Sequence, residues 1–377
     1  MKFCSELQCT LRIAALSLGS LLLGSGPVLG ATGDTLYGTA ISVGDAASAN
    51  VNSIVFDGRN IWVGVEDSSG GWVKKLGASG AIISSTQVGI APLQMVYDGA
   101  RIWVTDYASS DITILGADGG VVKTIQLAPS ANPEGILFDG KYIWVANNGV
   151  GANSVSKYDS TTMTLIREYI VGLDPDGLAF DGTYIWVTNS YGNNVVKLNR
   201  DTGEILRTYP TGVFPLSVVF DGTNMWIAIG ADADFGPPIN VTGSVMKLRA
   251  NGGINLGTFP VGSVVRGLAY DGTSIWICNS HDNTFTRLRA TDGARLGTYP
   301  AGGAPRSMAF DGKHMWIANS GDNTVSVITS SPDDPSFLPL VPIQTAADVD
   351  ASTTPRSTSK VNAAALGAIA SMLLGDN

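Results

Sequence analysis

The sequence predicts an all-β protein, a seven-bladed β-propeller of four-stranded antiparallel blades, and three observations carry that prediction. The phrase Asp-Gly-x-x-Ile/Met-Trp-Val/Ile occurs seven times, at 57–63, 98–104, 139–145, 181–187, 221–227, 271–277 and 311–317. Its aspartates are spaced by 41, 41, 42, 40, 50 and 40 residues, and a constant period of this size marks an array of supersecondary units. Each period holds four short strand-like runs, the pattern of a propeller blade and not of a helical solenoid repeat.

The cycle from Gly177 to Val219 shows the elements in order. An apolar run ends in Phe180, the pair Asp181-Gly182 turns the chain, and Tyr184 to Thr188 leaves it, so the first two strands form a hairpin. Residues 189–194 are a polar loop, Val195 to Leu198 is the third strand, Asp201-Thr202-Gly203 turns again, and Ile205 to Tyr209 is the fourth. Pro215 then opens the next blade. Fourth strands follow only six of the seven third strands, because Val325 to Ile328 runs into Ser330-Ser331-Pro332. The missing one is expected at the other end, where Leu36 to Val43 resembles the fourth strand beginning at Leu296. An N-terminal strand completing the last blade would clasp the ring and leave no open sheet edge.

Outside the ring, residues 1–30 read as a secretory signal peptide: Lys2 and Arg12 flank the start of a mostly apolar run from Ile13 to Leu23, and Gly30-Ala31 ends a Ser/Gly/Pro stretch. Export to the periplasm or the extracellular space is therefore expected, with the mature chain starting near Ala31. Cys4 and Cys9 leave with that segment, so Cys278 remains alone, expected as a buried, inert thiol. The propeller occupies residues 31–330. Residues 331–360, rich in Pro, Ser, Thr and Asp, form a linker or disordered extension. Residues 361–377 contain a short apolar segment, too short for a transmembrane span.

Composition fits many short strands joined by tight turns: 46 glycines, 44% hydrophobic and 15% charged residues. A net charge of −9 and an isoelectric point near 4.7 argue against nucleic acid or an anionic membrane as a partner.

Chain direction sorts the loops onto two faces. The Asp-Gly turns and the third-to-fourth turns share one face, and the uniformity of the Asp-Gly pairs assigns them to turn geometry, with the seven tryptophans packing between blades. The second-to-third loops and the blade connections share the other face, which varies as a binding face does. The residue five before each turn aspartate stands where a first strand enters the central channel. In blade order these are Asn52, Leu93, Glu134, Asp176, Leu216, Arg266 and Arg306, most of them followed by a small residue. Two carboxylates lie on adjacent blades and two arginines on another adjacent pair, so the channel mouth is expected to be charged and polarised. Arg266 and Arg306 suit a ligand carboxylate or phosphate, while Glu134 and Asp176 suit hydroxyls or an amine. A solvated ion-pair network is the alternative reading of the same four residues.

Further candidates come from the second-to-third loops, expected around the same mouth: Asp67, Asp106, Tyr107, Asn147, Asn148, Asn189, Tyr191, His281, Asp282 and Asp322. The long blade-five loop, 230–244, carries Asp232 and Asp234, a weak pattern for Ca2+ that is more often solvated surface. Catalysis has little to draw on. Only His281 and His314 exist, and they belong to opposite faces, which leaves His281 as the single general-base candidate.

The stretches Asp-Gly-Thr-Tyr-Ile-Trp-Val-Thr-Asn-Ser-Tyr-Gly-Asn-Asn-Val-Val-Lys-Leu at 181–198 and Ile-Ala-Asn-Ser-Gly-Asp-Asn-Thr-Val-Ser-Val-Ile at 317–328 resemble the YVTN and NHL-like propeller repeats of secreted bacterial proteins. The resemblance covers residues 36–329. The streptogramin B lyases, also called virginiamycin B lyases, are similar in blade rhythm, and that similarity implies a Mg2+-dependent lyase with catalytic histidines and a glutamate on the channel face. Where those enzymes have a Pro-His-like step, this chain has Pro133-Glu134, Pro175-Asp176 and Pro305-Arg306, and only His281 matches even loosely. Secreted lactonase-like propellers are a further relative. The expected function is an exported propeller binding a small molecule or protein partner at the channel mouth. A Mg2+-dependent lyase is the first alternative and a structural envelope or extracellular scaffold the second.

Overall fold

Asp-Gly turns generate the architecture. In the computed structural model, which describes residues 36–43, 49–230, 242–330 and 338–340, each turn aspartate accepts through Oδ1 from the backbone N–H groups two and three residues on, for example Thr183 at 2.9 Å and Tyr184 at 2.7 Å from Asp181. Its Oδ2 accepts from the indole N–H of the tryptophan five residues on. All seven such bonds are formed, at 2.6–2.8 Å. Burial opposes ionisation, yet these donors hold the Asp57, Asp271 and Asp311 carboxyls below the ordinary range, and at Asp139 the Arg200 guanidinium together with them does the same. One side chain thus closes the hairpin and orients the largest core residue of the blade.

Those indoles face the following blade. Trp103 packs with Ile136, Ile143, Val145 and Tyr158 of blade three, Trp144 with Ile185, Val187 and Leu198 of blade four, and Trp316 of blade seven with Val51, Ile54 and Leu76 of blade one. Third-strand lysines cross the same seams: Lys157, Lys197 and Lys247 each lie 4.9 Å from the indole centroid of their own blade and donate to a main-chain carbonyl of the next, at Arg200, Ala250 and Ala290.

Seven antiparallel sheets result, with their first strands packed side by side around the centre, that of blade seven against that of blade one. Blade four is typical, with strands Pro175–Phe180, Tyr184–Asn189, Asn194–Asn199 and Ile205–Pro210 in that order. In blade seven the fourth position is held by Tyr37–Ser42, antiparallel to Thr324–Thr329 with Tyr37 opposite Thr329. Leu338–Pro339 pairs on its far side as a fifth strand. Cys278 is fully buried, and burial pushes its thiol pKa up. The chain divides into two units, Met1–Pro342 and Ile343–Asn377. The signal-peptide segment with Cys4 and Cys9, the apolar stretch 361–377, the linker apart from residues 338–340, and both Asp232 and Asp234 lie outside the described residues.

Candidate functional site at the channel mouth

Each first strand enters the channel through the same local device. The residue that precedes the opening proline or valine has a left-handed backbone in six blades: Ala91, Asn132, Asp174, Phe214, Val264 and Ala304, with φ from 46° to 59°. Asparagines of the second-to-third loops steady three of them, since Asn153, Asn193 and Asn283 accept from the backbone N–H of Asp174, Phe214 and Ala304. Immediately afterwards the pairing with the second strand slips in all seven blades, for instance between Pro133 and Ile136 and between Pro175 and Leu178. The entrance residue sits in that irregularity, where a bulge re-aims a side chain away from the sheet.

The small residue that follows explains how seven such strands fit round one centre. A Cβ on Gly135 would lie 1.9 Å from the Asp176 carbonyl oxygen, and one on Gly177 or Gly267 would lie 2.6 Å from the carbonyl oxygens of Leu216 and Arg306. Neighbouring entrances therefore touch through backbone, and hydroxyls of the preceding blade pin entrance carbonyls: Thr105 donates to Glu134 O at 2.8 Å and Thr188 to Leu216 O at 3.1 Å.

The seven entrance residues meet in one cavity of about 220 Å³. Asn52, Leu93, Glu134, Asp176, Leu216, Arg266 and Arg306 all line it. Ile54, Met95, Leu178, Val218, Leu268 and Met308, two residues further along their strands, line it deeper in, so a charged ring stands over an apolar floor. Asp176 is 6% exposed. Burial first, then the neighbouring Glu134 and Asp174 carboxylates, push its pKa well above the ordinary range, while Arg266 and Arg306 pull the other way. Glu134 is held from behind by Asn148, whose Nδ2 donates to Glu134 Oε2 at 2.7 Å. The Tyr107 hydroxyl lies 3.5 Å from Asn148 Oδ1, and burial together with Glu134, Asp174 and Asp176 raises its pKa. Tyr107 thus joins the site through Asn148 and does not line the cavity.

Other loop candidates are not part of the lining. Tyr191 packs edge-on against Phe214 at 5.1 Å, and His281 is largely exposed, its Nδ1 3.7 Å from Asp282 Oδ1. Asn147, Asn189 and Asp106, expected around the mouth, are buried within their own blades. Asn147 donates to Ser154 and Ser156, Asn189 to Val171 O and Asn194, and Asp106 accepts from Thr113 at 2.6 Å. Their position at the end of a second strand looks loop-like in sequence, but the ladder extends through it and turns them inward. The bulges are what the sequence reading missed, and the Gly or Ser that follows six of the seven entrance positions, Gln94 being the exception, is their only trace in the sequence.

A divalent cation does not fit this donor set. Two guanidiniums border the cavity, burial and the neighbouring carboxylates push the Asp176 pKa upward, and no group of three His, Cys, Asp or Glu side chains placed to hold a metal ion stands among the described residues.

Neither a protein-family model nor a curated protein sequence matches the chain. Solved structures do. Virginiamycin B lyase from Staphylococcus aureus is 16% identical over 78% of this chain and 99% of its own, with a TM-score of 0.64. A streptogramin B lyase structure gives 16%, 78%, 98% and 0.65, and the hydrazine synthase of Kuenenia stuttgartiensis 18%, 82%, 100% and 0.65. The likeness is one of fold. At these identities it places a seven-bladed ring beside this chain and says nothing of its chemistry.

Proposed function

We propose that this protein is a binding propeller that takes a small polar molecule into the central cavity at the mouth face. The observation that supports it is the convergence of seven different blades on one cavity that carries four charged side chains and whose walls are pinned by backbone contacts. In this reading Arg266 and Arg306 bind a carboxylate or phosphate, and Glu134 with Asp176 bind a hydroxyl or amine, Asp176 donating when protonated. The lyase reading has the fold in its favour but no histidine at any entrance position, and His281 stands outside the cavity.

The same proposal places the protein outside the cytoplasm, on the strength of residues 1–30. N-terminal sequencing of the mature product would then start near Ala31.

Thermal shift with small anions, sugars, amino acids, peptides, Mg2+ and Ca2+ tests the binding reading, because a ligand selective for the native state raises Tm. The expected result is a shift that disappears in Arg266→Ala/Arg306→Ala. A flat response to every small molecule would sink it and move the mouth face to a protein partner. Turnover of a streptogramin B that is lost in His281→Ala would restore the lyase reading.

A further inference from the structure

On the turn face, one position of the repeat separates blade five from blades three and four. Three residues after the turn aspartate stand Tyr142 in blade three, Tyr184 in blade four and Asn224 in blade five. Their backbone is the same. Each N–H donates to Oδ1 of its turn aspartate, at 2.7, 2.7 and 2.6 Å, and each residue opens a second strand that pairs with the end of the third. What differs is the cover over the third-strand lysine. Lys157 Nζ lies 3.9 Å from the ring centroid of Tyr142 and 4.9 Å from that of Trp144, and Lys197 Nζ lies at the same two distances from Tyr184 and Trp186. Each of these ammonium groups meets two rings. Lys247 has the indole of Trp226 at 4.9 Å, and no second ring stands over it among the described residues.

A hollow of about 660 Å³ stands there instead, at the seam of blades five and six. Asn224 and Lys247 line it from one blade, and Tyr270, Ala290 and Leu296 from the other. Two short side chains account for it. Asn224 is the smaller substitute for tyrosine, and Ala290 holds the position that Arg200 holds one repeat pair earlier, since the carbonyls of both accept from the lysine of the preceding blade. At that earlier seam the Arg200 guanidinium lies 5.7 Å from the Tyr142 ring centroid, so arginine and tyrosine fill the space together.

We propose that this hollow binds a small molecule carrying an aromatic ring, which covers Lys247 as Tyr142 covers Lys157 and Tyr184 covers Lys197. No charge waits for a partner in this arrangement. Lys247 Nζ already donates to Ala290 O at 2.7 Å and to Thr291 O at 2.9 Å, and Lys157 donates to Arg200 O at 2.7 Å beneath its tyrosine. The ring therefore adds to the hydrogen bonds of the lysine and displaces none of them. An ammonium attracts the negative face of a π-system, and a saturated ring of the same size lacks that face. Tyr270 and Leu296 supply apolar surface to the rest of the molecule, and the volume lies within the range of small-molecule pockets. The site is on the opposite face from the channel mouth and stands or falls independently of the reading of that cavity.

The probe is 4-methylphenol, the side chain of tyrosine as a free molecule, with 4-methylcyclohexanol as its saturated counterpart. Each is titrated into the purified protein and followed by ligand-detected NMR. Saturable binding of 4-methylphenol is expected, at least about fivefold tighter than that of 4-methylcyclohexanol. Asn224→Tyr restores the ring that blades three and four carry, so it should abolish binding while Tm stays at or above that of the parent. Lys247→Met keeps a chain of similar length without the charge and should bring the two probes to within about twofold of each other, a readout that decides even if Asn224→Tyr fails to fold. The proposal is overturned if 4-methylphenol does not saturate, or if it binds a folded Asn224→Tyr protein as tightly as the parent. Equal affinity of the parent for the two probes also overturns it, as does a full aromatic preference that survives in Lys247→Met.

Discussion

On the turn face, seven aspartates make the same backbone and indole hydrogen bonds, while on the mouth face seven equivalent backbone positions carry five residue types, Asn, Leu, Glu, Asp and Arg. The contrast separates two uses of one repeat. Where a side chain completes its own blade, only one residue performs the task and the repeat is uniform. Where a side chain points into the channel, the bulge and the small residue behind it carry the structure, and the side chain is left to vary. Uniformity here marks packing and variation marks the surface that can recognise something.

Trp186→Ala should give the largest effect, since it empties a fully buried site between two blades: a loss of about 3–5 kcal/mol is expected from denaturant unfolding. Asp181→Ala should cost less, about 1–3 kcal/mol, by leaving the indole N–H without its acceptor. A mouth-face residue that proved as costly as Trp186 would break the comparison. Gly135→Ala is the mouth-face counterpart at the backbone level. Its new Cβ meets the Asp176 carbonyl, and a destabilisation of about 1–3 kcal/mol is expected, with weakened ligand binding as the entrances are forced apart.

Blade two supplies a pH-dependent test. Asn147, Asn279 and Asn319 each donate to hydroxyls of their own third strand. At that position Asp106 faces Asp111, and burial first, then Asp111, push its pKa up to about 8. The native state therefore binds a proton that the unfolded chain releases near the ordinary carboxylate pKa. That contribution to stability is complete at low pH and declines as pH rises to about 8. Asp106→Asn, which installs the residue that four other blades carry there (Asn147, Asn189, Asn279 and Asn319), should flatten the decline and raise Tm more at pH 8 than at pH 5, with a gain of about 1 kcal/mol for a restored donor. An unchanged pH profile would remove the shared proton from the account. Glu134→Gln should have the smallest effect, within about 0.5 kcal/mol of the parent in stability, although it is expected to weaken ligand binding. That split between stability and affinity is the sharpest form of the comparison.

The sequence by itself determined the number of blades, the hairpins and the residues of the channel ring. Asp-Gly needs a turn, a tryptophan five residues on needs a buried seam, and an entrance residue five residues before the turn is set by counting along one short strand. These are local relations, legible within a dozen residues. Tertiary structure alone decided which polar residues at the ends of the second strands reach the cavity wall and which face a blade interior. The bulges at Pro133 and Pro175 interrupt the simple alternation of a strand, so period-two counting does not carry across them. The raised pKa of Asp176 was equally out of reach, because its burial and three of its four charged neighbours, Glu134, Arg266 and Arg306, come from other blades. Asn147 and Asn148 show the division most closely: adjacent in sequence and identical in chemistry, one is buried in its blade and the other holds Glu134 at the cavity wall. The backbone direction that separates them is set by the ladder, and the ladder is a property of the assembled ring.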